Sequence, residues 1–195
     1  MNSASITDEF VSRLDSYLKS TLSEHRYEHS LSTAKTCRLL ARQFGCDENL
    51  AFFIGLVHDV AREYPDPELI TWAQKDKRPI SDLYISRPML LHGRAGAEVL
   101  REKFGIDDPV ILDAIRVHTT GDTGMTEQAK ILFIADYIEP KRKHLTPEFL
   151  KSLEGLDMDG MVYAVLMGTL NHLAEKGNRV APEAQALKKE LESER

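Results

Sequence analysis

Two adjacent polar residues, His58 and Asp59, interrupt a run that is otherwise apolar from Leu50 to Ala61. A helix with apolar residues on nearly every side belongs in the core of a domain. A carboxylate buried there without a partner is strongly destabilising or takes up a proton, so such a residue is normally paired or bound to a metal. The doublet therefore predicts a buried ion pair or a metal site.

The same anomaly recurs in three other predicted helices. Asp136 interrupts the apolar run from Ile131 to Ile138, and no Lys or Arg lies three or four positions away to pair with it. His118 continues the apolar face of the helix that precedes it, and His29 lies at the edge of an apolar face of the second helix. Taken alone, each histidine has an ordinary explanation as a hydrogen-bonded core residue.

Together, these residues predict that three imidazoles and two carboxylates point into one small core. They are His29, His58, Asp59, His118 and Asp136. Imidazole and carboxylate are natural ligands for first-row divalent metals, and a shared cation offsets the loss of hydration. Adjacent helical residues point about 100° apart, so His58 and Asp59 could reach neighbouring coordination positions, with Asp59 able to bridge two ions.

The composition restricts the classes of function. With 195 residues, of which 42% are hydrophobic, we expect one domain over 1–195, with a motif-bearing core at about 24–142 and a C-terminal helical part at about 146–195. A formal charge of -6 without a basic block argues against nucleic acid or a membrane surface as the main partner. The opening "MNSASITDEF" lacks the regions of a signal peptide, and no apolar stretch is long enough to cross a bilayer. We therefore expect a cytoplasmic protein.

The apolar periodicity is helical throughout, so we predict an all-α, single-domain helical bundle. Proline follows a capping side chain at 66–67, 108–109 and 146–147, as at the start of a helix. The segment 75–90 is the least regular and is a candidate surface excursion over the site, and the charged tail from Ala181 is expected to dock only in part. The predicted helices are 7–22, 26–44, 48–63, 67–75, 92–104, 109–118, 126–139, 147–153, 158–176 and 182–193.

The two cysteines, Cys37 and Cys46, lie nine residues apart around a predicted helix end. This spacing provides neither a disulfide framework nor a CxxC pair. We expect two small thiols that are buried or half-buried.

His29, the His58-Asp59 doublet and Asp136 form, in this order, the H...HD...D signature of the HD-domain phosphohydrolases, and the chain resembles that superfamily. Four segments narrow the resemblance to the YqeK branch of bacterial HD enzymes: "HDVAR" (58–62), "LLHGRAGAEVL" (90–100), "AIRVHTTG" (114–121) and "KILFIADYIEPKR" (130–142). The resemblance extends over about 27–142, and "NHLAEKGNRVAPEA" (171–184) is similar to the C-terminal part of that branch. A lone HD dipeptide is weak evidence, whereas four linked motifs in order are specific. The implied fold is an HD-domain helical bundle.

The resemblance also implies an activity and a ligand set. Members of the branch are symmetrical bis(5'-nucleosyl)-tetraphosphatases, which hydrolyse diadenosine tetraphosphate to two ADP at a dinuclear metal site where iron is the favoured metal. The same kinds of ligand also accept manganese, cobalt or zinc. By motif position, one ion is held by His29, His58, Asp59 and Asp136, and the second by Asp59 together with His92 and His118.

Two divalent ions about 3.5 to 4 Å apart can lower the pKa of a bridging water and align the resulting hydroxide with a phosphorus atom. No protein nucleophile is then required, and the sequence contains neither a GxSxG elbow nor a Walker-type loop. Asp59 and Arg62 are the predicted catalytic residues. Arg62 lies four positions after His58, where the family often has Lys, and it is expected to stabilise phosphate charge.

Further phosphate contacts are predicted on both sides of the metal ligands. The cations Lys130 and Arg142 are candidates, with a solvated surface charge as the alternative for each. The backbone amides and hydroxyls that follow His118 are also candidates, with an ordinary helix exit as their alternative. The predicted substrate-binding residues are Arg62, Thr119, Thr120, Gly121, Lys130 and Arg142.

Two other functions compete with the tetraphosphatase. One is another HD-type nucleotide phosphohydrolase, and the other is a metal-bound nucleotide-sensing module. The expected partner in each case is a small-molecule nucleotide, with no nucleic acid and no membrane, and a homodimer is an open alternative for the oligomeric state.

Three aromatic residues bordering the irregular segment are candidates for a base pocket, and three histidines without a motif position are expected at the surface or in the core. These residues are Tyr64, Trp72 and Tyr84, and His25, His144 and His172.

Overall fold

The computed structural model describes residues 7–193. Residues 1–6 and 194–195 lie outside the described residues. The two ends of the predicted domain, and most of the segment used for the signal-peptide expectation, are therefore not described. The α-helices are α1 Asp8–Thr21, α2 Glu24–Phe44, α3 Glu48–Val57, α4 Asp66–Ala73, α5 Asp82–Ser86, α6 His92–Phe104, α7 Pro109–Val117, α8 Glu127–Ile138, α9 Pro147–Ser152, α10 Met158–Glu175 and α11 Pro182–Ser193.

The predicted all-α class is confirmed, since no β-strand occurs between residues 7 and 193. Local chemistry explains many of the helix ends. Asp47, Asp108 and Asp157 accept hydrogen bonds from the first backbone N–H groups of α3, α7 and α10. Gly45 ends α2 in the left-handed conformation, with a φ of 72°, which glycine adopts without strain.

The centre of the fold is formed by α2, α3 and α8, which pack against one another. Two further helices, α7 and α10, pack against α8, and α7 also packs against α6. Within the part of the chain that the structure describes, no helix combines the length and apolar character of a membrane span.

Gly55 allows α3 to approach α2 closely. A Cβ atom built on Gly55 would lie 2.7 Å from the Cα atom of Ala34 and 2.9 Å from the sulfur of Cys37. The first of these is a backbone atom, which cannot move aside as the end of a side chain can. Glycine therefore sets the spacing of the two helices immediately before the His58-Asp59 doublet.

The predicted helix over 48–63 is too long, because α3 ends at Val57. The following residues form turns with i to i+3 hydrogen bonds, such as that from the Arg62 N–H to the carbonyl of Asp59, at 2.8 Å. Val60 and Ala61 within these turns are fully buried. Apolar periodicity does not distinguish a buried turn from a buried helix, which is why the sequence pattern overran the helix end.

Two other expectations about the chain require correction. The irregular segment 75–90 contains α5, and a short 3-10 helix overlaps each of its ends, Gln74–Asp76 and Pro88–Leu91. The tail from Ala181 is docked rather than loosely attached, since Leu187 and Leu191 of α11 are buried. The buried residues of that helix are three and four positions apart, and the charged residues between them made this apolar face hard to recognise in the sequence.

The expected thiols are confirmed. Cys37 is buried and Cys46 is partly buried, and both are free. Burial raises the pKa of Cys37 well above its ordinary value, which makes it an inert core residue.

We predict that Gly55→Ala destabilises the protein far more than Gly96→Ala. Both glycines lie inside helices, but a Cβ on Gly96 would lie nearest to two side-chain methyl groups, at 3.3 and 3.4 Å, and would reach backbone only at the ordinary contact distance of 3.7 Å. Overpacking against backbone should lower the free energy of unfolding of Gly55→Ala by about 1–3 kcal/mol, against a change below about 1 kcal/mol for Gly96→Ala. Urea unfolding followed by circular dichroism measures the difference, and equal effects would contradict the proposed close approach.

Candidate metal centre

Five separate parts of the chain bring the six predicted metal ligands together. His29 comes from α2 and Asp136 from α8, whereas the other four lie at helix ends: His58 and Asp59 directly after α3, His92 at the first position of α6 and His118 directly after α7. Five of the six residues are buried, and Asp136 is the exception, with 23% of its side chain exposed. Three overlapping groups of these side chains bring their ligand atoms within 4.8 Å of one another.

One oxygen of Asp59 faces the first pair of histidines. Its Oδ2 atom lies 3.8 Å from Nε2 of His29 and 3.6 Å from Nε2 of His58. Oδ1 of Asp136 completes this group, at 2.9 Å and 3.7 Å from the same two nitrogens. These four side chains are the set that the resemblance implies for one ion.

The other oxygen of Asp59 faces the second pair of histidines. Its Oδ1 atom lies 3.2 Å from Nε2 of His92 and 3.9 Å from Nε2 of His118. The two Nε2 atoms are themselves 2.9 Å apart. Asp59 thus lies between two groups of possible ligands, which is the arrangement that a bridging carboxylate requires.

Hydrogen bonds at the opposite ring nitrogen orient three of the histidines. Nδ1 of His58 donates to the carbonyl of Gly55, that of His118 to Ile115, and that of His92 to Met89, at 2.7, 2.7 and 2.6 Å. In each case the acceptor lies three residues earlier. Gly55 and Ile115 are in the last turns of α3 and α7, where carbonyl groups lack helical partners, and Met89 is in the short 3-10 helix before α6. Because a carbonyl can only accept, Nδ1 carries the hydrogen and Nε2 keeps a lone pair for a metal.

Glu139 plays the equivalent role for His29, and sequence reasoning missed it. Its Oε1 atom lies 3.0 Å from Nδ1 of His29, and only 1% of Glu139 is exposed. Burial raises the pKa of this carboxyl, but hydrogen bonds, including that from the Lys141 N–H, hold it below its ordinary value. The available signal was spacing, because Glu139 follows Asp136 by three positions and shares its side of the helix end.

The donor set fits a cation on grounds of its own. Nε2 of His58 is buried and has no hydrogen-bond partner among the described residues. Nε2 of His92 and Nε2 of His118 point lone pairs at each other across 2.9 Å. Burial lowers the pKa of His118 to about 3, and the neighbouring imidazoles of His92 and His58 act in the same direction, so His118 is neutral near pH 7. A divalent cation would accept the lone pairs of these nitrogen atoms and so give each of them a partner.

The two carboxylates are held in the charged form that metal binding needs. Burial alone would raise the pKa of Asp59, but the neighbouring imidazoles of His58 and His92, the latter also through a hydrogen bond, keep it well below the ordinary value. The pKa of Asp136 is also lowered against the effect of burial, first by the hydrogen bond with His29. Both groups are therefore anionic at neutral pH.

Arginines border the cluster on its open side. The guanidinium of Arg142 pairs with Oδ1 of Asp136 and donates to the backbone carbonyl of the same residue at 2.7 Å. Arg26, which sequence reasoning missed, lies 3.4 Å from Oδ2 of Asp59. The signal for Arg26 was again spacing, since it precedes His29 by three positions on α2.

Arg62 is half-buried beside the cluster. Burial lowers its pKa, while the negative charges of Asp59 and Asp136 act in the opposite direction. The contacts within residues 7–193 include no hydrogen bond or ion pair of its guanidinium. Arg62 is thus available to an anionic ligand, although the turn after α3 replaces the helical spacing from which its position was predicted.

The remaining predicted substrate contacts divide into two groups. The hydroxyl of Thr119 lies 3.4 Å from Nε2 of His92, at the cluster. Thr120 and Gly121 instead line a separate cavity. Lys130 pairs with Asp159 of α10, at 2.6 Å, and no described contact joins it to the cluster. The structure therefore gives no support to the predicted substrate role of Lys130.

Two cavities adjoin the cluster. One, of about 160 Å³, is lined by His118, Asp136 and Arg142, and the other, of about 380 Å³, by His29, Arg142 and several further basic side chains. His25 and His144, expected at the surface or in the core, line these cavities, whereas His172 lies on the exposed side of α10.

The aromatic candidates for a base pocket have other contacts. The hydroxyl of Tyr64 lies 2.8 Å from that of Tyr17, and Tyr84 donates to Glu183 at 2.7 Å. Trp72 lies beneath the ammonium group of Lys75, at 4.1 Å from the ring centre. None of the three lines a cavity that contains a predicted metal ligand.

Comparison with known proteins places these features in one family. The model of the HD domain matches residues 26–141. The chain is 34% identical to the symmetrical bis(5'-nucleosyl)-tetraphosphatase of Halalkalibacterium halodurans, over 89% of this chain and 92% of that protein. It is also 34% identical to the Bacillus subtilis protein of the same name, over 85% and 89% of the two chains.

A solved structure shows the same architecture. It is a crystal structure from Clostridium acetobutylicum described as a predicted HD superfamily hydrolase involved in NAD metabolism, with a TM-score of 0.87 and 32% identity over 94% of this chain and 97% of that one. The matched segment 26–141 includes all six side chains of the cluster. The chain therefore belongs to the HD-domain family.

Proposed function

We propose that this protein hydrolyses diadenosine tetraphosphate symmetrically to two ADP. Water adds to one of the two inner phosphorus atoms and the central P–O–P bridge breaks, so each half departs as ADP. The observation that carries the proposal is the placement of Asp59 between two groups of ligands. The relatives named symmetrical bis(5'-nucleosyl)-tetraphosphatase, which align over most of the chain, support the same substrate.

The proposal includes two divalent transition-metal ions. His29, His58, Asp59 and Asp136 would hold one ion, and Asp59, His92 and His118 the other. Bound as a pair, such ions lower the pKa of water between them and neutralise charge on the attacked phosphate. Imidazole and carboxylate ligands suit iron, manganese, cobalt and zinc, and we propose iron on the strength of the family resemblance.

The side chains around the cluster bind and orient the polyphosphate. Arg62 offers a guanidinium that has no partner among residues 7–193, and Arg142 and Arg26 lie within contact distance of the acidic ligands, at the wall of the larger cavity. Cations placed where phosphate charge develops stabilise the transition state more than exposed cations do, because the site is partly closed to water. Thr119 lies where its hydroxyl can contact a phosphate oxygen next to His92.

The expected partner is thus a small nucleotide. The predicted cytoplasmic location, a homodimeric assembly and the absence of nucleic-acid or membrane partners stay predictions.

We predict that metal-loaded protein converts diadenosine tetraphosphate to ADP as the sole product. Chromatography of the reaction measures this, and Asp59→Ala should abolish it because the residue between the two ligand groups is lost. Glu154→Ala, an exposed position outside the cluster, serves as the control and should retain activity. AMP together with ATP as products would exclude symmetrical cleavage.

Metal content should separate the two ligand groups. Wild-type protein is expected to bind about two divalent ions per chain, and His92→Ala about one, because removal of His92 leaves the group around His29 intact. Elemental analysis after dialysis against manganese measures the ratio. His172→Ala, at an exposed position on α10, should keep the wild-type ratio, and an unchanged ratio in His92→Ala would refute the second group.

Arg62→Ala should lower kcat/KM for diadenosine tetraphosphate by about 10- to 100-fold, since a guanidinium directed at developing phosphate charge is removed. Its metal content should not change, because Arg62 is not a ligand. Lys130→Ala is the matched control, and its pairing with Asp159 predicts nearly normal kinetics. Equal losses in the two variants would show that the proposed difference between these cations is wrong.

A further inference from the structure

A third cavity continues from the metal centre along α10. It has a volume of about 310 Å³ and shares Tyr137, His144 and Thr169 with the smaller cavity at the cluster. His118 and Asp136 line the inner end of that smaller cavity. A molecule with a phosphate at the metal centre therefore has a direct route for its neighbouring group into the space between α8 and α10.

The charges of the two sides of the cluster differ. On one side, the cavity that contains His29 is lined by the basic residues Arg26, Lys141, Arg142 and Lys143. On the other side, the outer cavity along α10 has no Lys or Arg in its described lining, and Glu175 is its acidic residue. A polyphosphate favours the first surface, and an uncharged group favours the second.

Aromatic rings form the wall between the two cavities along α10. The ring of Tyr137 packs against His144, with centroids 4.4 Å apart, and against Phe149, at 5.5 Å. Val165 and Phe133, which are buried, provide apolar surface at the inner end. Aromatic rings beside polar side chains, such as Asn171 of the outer cavity, suit a planar heterocycle, because bases stack on such rings and polar groups fix their orientation.

Gly168 keeps this wall in place. A Cβ atom on Gly168 would lie 2.5 Å from the hydroxyl oxygen of Tyr137 and 3.2 Å from its Cζ atom. Tyr137 therefore packs directly on the backbone of α10. The absence of a side chain at this position leaves the cavity open beside the ring.

We propose that the cavity between α8 and α10 binds the purine base of one nucleotide half, with Tyr137 as its stacking surface. The inference rests on the proposed function, since it assigns the base of the same substrate whose phosphates lie at the metal centre. The base site and the basic cavity then bind different parts of the molecule, the purine base and the polyphosphate. None of the aromatic residues suggested by the sequence pattern takes part.

The test compares a ligand that has a base with one that lacks it. Calorimetric titration of the manganese-loaded protein gives the Kd for ADP and for pyrophosphate. Tyr137→Leu should weaken ADP binding about tenfold, as the loss of one stacking contact predicts, and should leave pyrophosphate binding within about twofold. Tyr137→Phe keeps the ring and should bind both ligands as the wild type does.

Two further variants keep the test independent of folding. His144 is exposed, so His144→Ala should fold normally. Because its ring packs on Tyr137 but also lines the basic cavity, the variant should weaken ADP binding about threefold more than pyrophosphate binding. Phe52→Leu removes an aromatic ring that lies on α3 against Arg38, outside the cavity, and should change neither Kd. Equal weakening of ADP and pyrophosphate in Tyr137→Leu, or no weakening of either, would overturn the proposed base site.

Failure of the base site and failure of the proposed function give different results. Base-dependent binding of ADP without cleavage of diadenosine tetraphosphate would contradict the proposed function and support the base site. Cleavage to ADP with unchanged ADP binding in Tyr137→Leu would support the function and contradict the base site.

Discussion

The fold depends on the charge of one buried carboxylate. The side chain of Asp59 is 3% exposed, and its two oxygens lie within 3.9 Å of the Nε2 atoms of four histidines. Taking such a group out of water is unfavourable unless partners of opposite charge, or a metal, replace the hydration. The two helices, α2 and α8, and the three helix ends that surround it supply these partners. The close contact of α2 and α3 at Gly55 brings Asp59 to the centre of that arrangement.

The ends of helices serve two purposes in this centre. His58, His92 and His118 each follow a helical turn and donate to a carbonyl three residues earlier. For His58 and His118 the hydrogen bond satisfies a carbonyl in the last turn of the helix, and for all three histidines it fixes which ring nitrogen keeps its lone pair. At His58 and His118, the end of the helix and the orientation of the ligand therefore depend on the same hydrogen bond.

The distribution of charge explains how an acidic protein can present a site for a polyanion. The chain carries a formal charge of -6, but Arg26, Arg62 and Arg142 gather at the opening of the cluster. Local cations act over short distances in a partly closed site, whereas the net charge acts through screened solvent. The aromatic wall around Tyr137 on the opposite side makes the surroundings of the centre asymmetric, with one region suited to phosphate and one to an uncharged ring.

The sequence by itself determined the helical class and indicated His29, His58, Asp59, His118 and Asp136, because polar residues in apolar helical runs are visible as local pattern. His92 emerged only through the family resemblance, since an imidazole at the start of a helix is ordinary in isolation. The tertiary structure alone decided that Glu139 and Arg26 contact the ligands, that Lys130 pairs with Asp159, and that Thr119 and Thr120 face different cavities. These facts depend on contacts between residues up to 110 positions apart, and hydrophobic periodicity reports only which side of a helix is buried, never which partner it meets there.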